Sequence, residues 1–233
     1  MYKRPVERLV KEAYSLGRTT LSEPDAKEIL KLCSIPVPEF HIVKDVNGAI
    51  EKAEKIGYPI ALKIISPDIV HKSDVGGVAL NIKSAREIED RWADMILKIA
   101  DESATAMIDG FLVEEMAPPG VEVIVGVIKD EQFGTVVMFG TGGIAVELMK
   151  DVAFRLAPID REGAFRMISE VKGFPLLSGY RGDSPKDVGA VADVIVKLSR
   201  AVEEIDGLKE IEINPLLVYD KGVMAVDARA VLK

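Results

Sequence analysis

Pro59-Ile60-Ala61-Leu62-Lys63-Ile64-Ile65-Ser66-Pro67-Asp68-Ile69-Val70-His71-Lys72-Ser73-Asp74-Val75-Gly76-Gly77-Val78-Ala79-Leu80-Asn81-Ile82 reads as a buried strand, a loop and a second strand, with no helical period between the strands. The regular alternation of strand and helix that a doubly wound parallel sheet requires is broken here. Upstream, residues 5 to 16 carry the period of a short amphipathic helix, and Ser22-Glu23-Pro24-Asp25 is a capped start for a second one that runs to about Cys33 and is ended by Pro36 and Pro38. Phe40 to Val43 is a strand, and Asp45 to Ile56 a helix closed by Gly57. Downstream, Ser84 caps a helix that runs to Ala100. Two β-rich runs, Phe111 to Met116 and Val121 to Val127, follow around Ala117-Pro118-Pro119-Gly120. Strands at Thr135 to Phe139 and Val152 to Ala157, helices at Arg161 to Val171 and Val188 to Ile205, and strands at Glu210 to Tyr219 and Val223 to Val226 complete the chain. This order fits an α+β fold of two lobes, 1–109 and 110–233, divided near Asp109-Gly110.

Composition narrows the function. Of 233 residues 48% are hydrophobic, enough for a packed core, and the 38 acidic side chains outnumber the 30 basic ones, for a net charge of −8. No Lys/Arg-rich run stands out, so nucleic acid is not an expected partner. Anionic small ligands would be met by a few placed cations and backbone N–H groups. The single cysteine, Cys33, lies in an apolar-patterned segment and reads as a buried structural thiol; one cysteine allows no internal disulfide, as expected in a reducing cytoplasm. The N-terminal residues show no apolar core, and no stretch approaches the roughly 18 apolar residues of a membrane span, so secretion and membrane insertion are not expected.

Four groups of residues carry chemistry. Lys63 is a charged residue inside an apolar strand and must either snorkel outward or meet an anion, since an unpaired buried ammonium is costly. His71 is one of two histidines in the chain, and neutral imidazole can attack phosphorus as well as move protons; on residue type alone, a structural or solvent-exposed side chain is the preferred reading. His41 is expected to alternate outward on its strand, with no chemistry assigned. Glu114, Glu115 and Glu122 can reach a ribose hydroxyl or a metal, or simply form an outward strand surface, the reading preferred for Glu115. In Glu210-Ile211-Glu212-Ile213-Asn214-Pro215 the period of two puts Glu210, Glu212 and Asn214 on one face. With Asp227 on the following strand and an abrupt turn at Pro215, they make either an oxygen-only site of the kind Mg²⁺ takes beside nucleotide phosphates or a solvated strand face. The glycine-rich run Phe139-Gly140-Thr141-Gly142-Gly143-Ile144-Ala145-Val146-Glu147 lets backbone approach an anion, yet matches neither the phosphate-loop nor the dinucleotide fingerprint. It could equally be a turn against which another chain packs.

In their order these motifs resemble the ATP-grasp fold, and more narrowly the β subunits of ADP-forming acetyl-CoA synthetases, over nearly the whole chain. The resemblance rests on Gly57 to Lys63, Ser66 to Gly77, Val113 to Met116, Phe139 to Gly143, and Glu212 to Pro215 with Asp227. It implies two α+β lobes clasping a nucleotide, ATP or ADP with Mg²⁺. Lys63 would hold its phosphates, Glu114 to Met116 would hinge the lobes and present backbone groups to adenine, and Glu122 would meet the ribose. Asn214 and Asp227 would be the metal ligands, Glu212 would orient a phosphorylated histidine, and His71 would carry the phosphoryl group. The resemblance further implies an α subunit that binds CoA and forms the acyl phosphate, in an α2β2 heterotetramer. Two other readings remain open: a self-contained ATP-grasp ligase joining a carboxylate to an amine, in which His71 has no essential role, and a non-catalytic nucleotide-sensing subunit, which would have a defective metal site.

Overall fold

The computed structural model describes all residues except 1, 70, 104 and 143–149. The chain forms two compact units, one built from residues 38–118 and the other from 1–37 together with 119–233.

In the smaller unit, β1 (Phe40–Val43), β2 (Ile60–Ile65), β3 (Val78–Ile82) and β4 (Gly110–Glu115) form an antiparallel sheet in the order β1-β4-β2-β3. Asp45 caps α3 (Val46–Ile56) by accepting from the Gly48 N–H, and Gly57 ends it at φ +94. Ser84 caps α4 (Ala85–Glu102) by accepting from the Glu87 N–H. Both helices take their apolar stripes to one sheet face, where Ile60, Leu62, Ile64, Phe111 and Val113 meet Ala49, Ala53, Ile88, Met95 and Ile99. Trp92 stacks on Phe111 with ring centroids 3.7 Å apart. Ala61 and Lys63, on the opposite face of β2, are buried as well.

The larger unit has a second antiparallel sheet. Its elements are β5 (Val121–Asp130), β6 (Gly134–Thr141), β7 (Val152–Leu156), β8 (Leu208–Val218), β9 (Val223–Ala225) and β10 (Ala228–Leu232). The order is β10-β8-β5-β6-β7, with β9 also paired to β8. α5 (Arg161–Glu170) and α7 (Val188–Glu204), linked through the short α6 (Pro175–Ser178), belong to one core with Val123, Val125, Phe139, Ile211 and Ile213. The N-terminal helices α1 (Lys3–Ser15) and α2 (Glu23–Leu32) join the same core through Val6, Val10, Ile29 and Leu30. The Ser22 cap holds α2 as its sequence implies. Cys33 is buried, which pushes its thiol up to about 11, in keeping with a structural role.

The boundary expected at Asp109-Gly110 does not fall there. β4 begins at Gly110 and is the strand that joins β1 to β2, so the smaller sheet cannot close without it. The chain leaves that unit at Pro118-Pro119, where the prolines have no N–H to extend a ladder. Residues 1–37 belong with the later unit because Leu21 donates its N–H to Ala230 O at 2.9 Å and Thr20 bridges Val231.

Candidate functional site

Lys63 and Glu114 form an ion pair of 2.9 Å, with side chains 5% and 1% exposed. The register produces it: Lys63 lies opposite Leu112 and Ala61 opposite Glu114, so the two charged residues are diagonal neighbours on one sheet face. The anion that Lys63 requires is therefore supplied within its own sheet. At the end of β4, Glu115 donates its N–H to Glu39 O at 2.8 Å, and just beyond it Met116 donates to Pro59 O at 3.3 Å. At Met116 the carbonyl, rather than the N–H, is the backbone group suited to meet a base.

His71 is exposed on the loop between β2 and β3. The loop returns at Val78, the cross-strand partner of Lys63, so both of its ends flank that lysine. Ile64 donates its N–H to Gly77 O at 2.9 Å, and Gly77 its own to Lys72 O at 2.7 Å. On the entry side, Ile69 is buried in the core, and Asp68 Oδ2 accepts from the Met107 N–H at 2.7 Å. Gly76 adopts φ +67, and a Cβ on Gly77 would stand 2.6 Å from Ile64 Cδ1. His41 accompanies Glu39 at 3.3 Å on the outer strand and takes no further part.

In the larger unit, Ile211 and Ile213 face the core while Glu210, Glu212 and Asn214 take the other side of β8. The abrupt turn expected at Pro215 is absent. β8 runs on to Val218, and the residue without an N–H is absorbed by a bulge in which Ile124 faces both Asn214 and Pro215. Asp227 lies in the connection between β9 and β10, not on a strand, and is stitched to the bulge: Asn214 donates its N–H to Asp227 O at 3.2 Å, and Val226 to Pro215 O at 3.1 Å. Asp227 Oδ1 accepts from the Ala228 N–H at 2.8 Å.

Glu212 is raised above the usual carboxylate range by burial and then by Glu210, against the pull of Arg229, its cross-strand partner. Among the described residues no three His, Cys, Asp or Glu side chains gather as a metal cage. Asn214 and Asp227 instead offer two neighbouring hard oxygen donors, which fits Mg²⁺, an ion that fills its remaining positions with phosphate oxygens and water. Glu122 is exposed near the start of β5, and its carbonyl accepts from the Gly142 N–H at 2.8 Å. Of the glycine-rich run, Phe139 to Gly142 are seen here; the remainder, from Gly143 to Glu147, lies outside the described residues.

Sequence reasoning missed one buried group beside these. Asp151 Oδ1 accepts from the Lys172 N–H at 2.7 Å, and its Oδ2 from the Gly173 N–H at 2.8 Å and the Thr141 hydroxyl at 3.2 Å. An acidic residue directly ahead of a strand is the only local signal, and it is a weak one.

The family model for the ATP-grasp domain matches residues 12–232. The chain is 48% identical over 212 residues to the β subunit of acetate–CoA ligase [ADP-forming] I of Pyrococcus furiosus, covering 91% of each. The chain belongs to the ATP-grasp family, among the β subunits of ADP-forming acetate–CoA ligases. The α+β reading of the sequence is thereby the ATP-grasp fold. This ATP-grasp chain is also 42% identical to acetate–CoA ligase [ADP-forming] I of Archaeoglobus fulgidus, where the match covers 88% of this chain and 30% of that longer one. Among solved structures, it is similar to a dinucleotide-forming acetyl-coenzyme A synthetase 1 of Ca. Korarchaeum cryptofilum, at TM-score 0.86 and 40% identity, over 98% of this chain and 100% of that one. That protein was solved with coenzyme A and Mg-AMPPCP, its phosphohistidine segment pointing towards the nucleotide binding site.

Proposed function

We propose that this chain is the nucleotide-binding, phosphoryl-carrying β subunit of an ADP-forming acyl-CoA synthetase, for the reaction acyl-CoA + ADP + phosphate = carboxylic acid + ATP + CoA. The observation that carries this reading is the placement of His71, exposed on a loop whose two ends flank Lys63. A carrier imidazole must be reachable by a donor and by an acceptor, and its loop must stay attached beside the cation that holds the acceptor's phosphates. A ring nitrogen of His71 attacks the phosphorus presented by the partner. The donor's bond to phosphorus breaks as the N–P bond forms. A terminal phosphate oxygen of ADP then attacks the same phosphorus, the N–P bond breaks, and its electron pair returns to the imidazole as ATP forms.

Lys63 exchanges Glu114 for phosphate oxygens as nucleotide binds. The backbone from Glu114 to Met116 meets adenine and Glu122 meets the ribose. Asn214 and Asp227 hold Mg²⁺, which when bound supplies charge neutralisation at the phosphates. Glu212, half-buried and raised above the usual carboxylate range, orients the phosphorylated His71. The partner is an α subunit with the CoA-binding and acyl phosphate-forming domains. Support for it comes from the longer Archaeoglobus relative, in which the region matching this chain is 30% of the length. We take the assembly to be an α2β2 heterotetramer working in the cytoplasm. Among the described residues no helix is long and apolar enough to cross a membrane.

The test is transfer of label from γ-labelled ATP with Mg²⁺ onto the chain together with its partner, in wild type and His71→Ala. Acid-labile, alkali-stable label on the wild type and none on the variant is expected, with nucleotide affinity retained. Equal labelling of the two would refute the carrier role. Loss of nucleotide binding in the variant would make His71 structural.

A further inference from the structure

Asp151 is 8% exposed and Thr141 4%, and neither belongs to the residues assigned above. A buried carboxylate is costly unless its charge is met, and here it is met by three donors on two stretches of chain. The Lys172 and Gly173 amides follow the end of α5, the Thr141 hydroxyl is at the end of β6, and Asp151 itself opens into β7. Those donors hold Asp151 below the usual carboxylate range despite its burial, so it is charged at neutral pH.

The contacts around this carboxylate leave little room for adjustment. A Cβ on Gly173 would stand 2.1 Å from Thr141 Cγ2, so the α5 end is packed directly on the Thr141 side chain. One residue further on, Gly142 donates to Glu122 O, and a Cβ at Gly142 would stand 2.7 Å from Glu122 Cβ and 2.8 Å from its carbonyl carbon. A Cβ on Gly140 would stand 2.9 Å from Asp151 O. The backbone of Glu122 thus rests on Gly142, whose place is fixed by Thr141, which Asp151 holds.

We infer that Asp151 is a positioning residue for Glu122: its carboxylate, through Thr141 and Gly142, sets where the Glu122 side chain meets the ribose of the bound nucleotide. The inference deepens the function proposed above and rests on the ribose role of Glu122 stated there. Asp151 touches no substrate in this scheme. A hydrogen bond to a charged group tolerates little misplacement, so a shift in the Glu122 backbone weakens the ribose contact selectively and leaves phosphate and base contacts in place.

The experiment measures binding of Mg-ATP and Mg-2′,3′-dideoxy-ATP to the full chain by calorimetry, in wild type, Glu122→Gln, Asp151→Asn and Thr141→Val. Thr141→Val keeps the methyl group against Gly173 and removes only the hydroxyl donor, so it serves if Asp151→Asn fails to fold. The wild type should prefer ATP over the dideoxy analogue by on the order of tenfold, the worth of a charge-assisted hydrogen bond. Glu122→Gln should lose most of that preference, and Asp151→Asn and Thr141→Val should lose it in the same sense while dideoxy affinity holds within about twofold. Loss of preference in Glu122→Gln with full preference in both other variants would overturn the positioning role alone. An equal fall in affinity for both nucleotides in Asp151→Asn and Thr141→Val would make the carboxylate structural only, and overturn it too. No preference in the wild type, or full preference in Glu122→Gln, would refute the ribose role and the inference with it.

Discussion

Separating Lys63 from Glu114 should cost far more than removing both. At 2.9 Å and an effective dielectric of 20, their attraction is about 6 kcal/mol, most of it offset by the loss of hydration of both ions. Taking away one partner leaves that loss in place with no attraction to oppose it, which for buried pairs costs about 3–5 kcal/mol. Glu114→Leu and Lys63→Met, each close in shape to the native side chain, are expected to destabilise the smaller unit by about that amount. The double variant should cost no more than about 2 kcal/mol, because an apolar pair of similar volume carries no uncompensated charge. The assay is urea unfolding followed by the fluorescence of Trp92, the one tryptophan of the chain, which stacks on Phe111 inside the same unit. A coupling of about 3 kcal/mol or more between the two sites is expected from the cycle. Single variants that each cost less than about 1 kcal/mol, or a double variant equal to their sum, would refute the argument that the pair stays charged and mutually dependent in the folded chain.

Other outcomes follow from single contacts. Asp187 caps α7 and accepts from the Ala190 and Gly222 N–H groups, foremost that of Gly222, which holds it below the ordinary carboxylate value of about 3.9. Its contribution is therefore present above that value and lost as pH falls through the lower folded value; in Asp187→Asn the decline of the urea midpoint below about pH 4 should be shallower, at the cost of about 1 kcal/mol at pH 7. Gly77→Ala drives a Cβ to 2.6 Å from the fully buried Ile64 side chain, so it should cost about 1–3 kcal/mol in the Trp92 unfolding assay. Asp227→Asn retains an acceptor for the Ala228 N–H, so melting without metal should hold while half-saturating Mg²⁺ for nucleotide binding rises on the order of tenfold.

Local rules carried most of the fold into view. Ser22, Asp45 and Ser84 each cap the helix that their sequence context implies, because a cap is decided within three residues. β10, Ala228-Arg229-Ala230-Val231-Leu232, is short and follows Asp227 without a turn signal, so only its half-buried alternation marks it as a strand. The grouping of residues 1–37 with 119–233 depends on pairings such as Thr20 with Val231, for which no nearby residue gives a signal. The site divides in the same way. Lys63 announced itself as a charge in an apolar strand, but its partner is set by strand register rather than by spacing. Asp227 lies beside Asn214 because a bulge and a short connection bring them together, where the sequence pattern implies two straight strands. Asp151 was invisible because its donors lie 10, 21 and 22 residues away in sequence.

The same contacts bound how far the His71 backbone can travel. Ile69 is buried in the core of the smaller unit, and His71 is two residues further along. An extended residue spans at most about 3.6 Å, so while Ile69 stays docked the His71 backbone keeps within about 7 Å of it. A displacement of the His71 backbone by more than about 14 Å demands that Ile69 leave the core and that Asp68 release the Met107 N–H. Exposing one such side chain costs about 1.5–3 kcal/mol and the hydrogen bond about 0.5–1.5 kcal/mol. The undocked loop is then about 2–4.5 kcal/mol above the docked one, a population between about one in thirty and one in two thousand. A minor state of that size is reached by thermal motion alone, and binding of the loop at a second site needs only a differential affinity of the same few kcal/mol to draw it out. Docking of Ile69 therefore keeps the loop that bears the histidine attached to the smaller unit by default without locking it there, as the proposed carrier role requires.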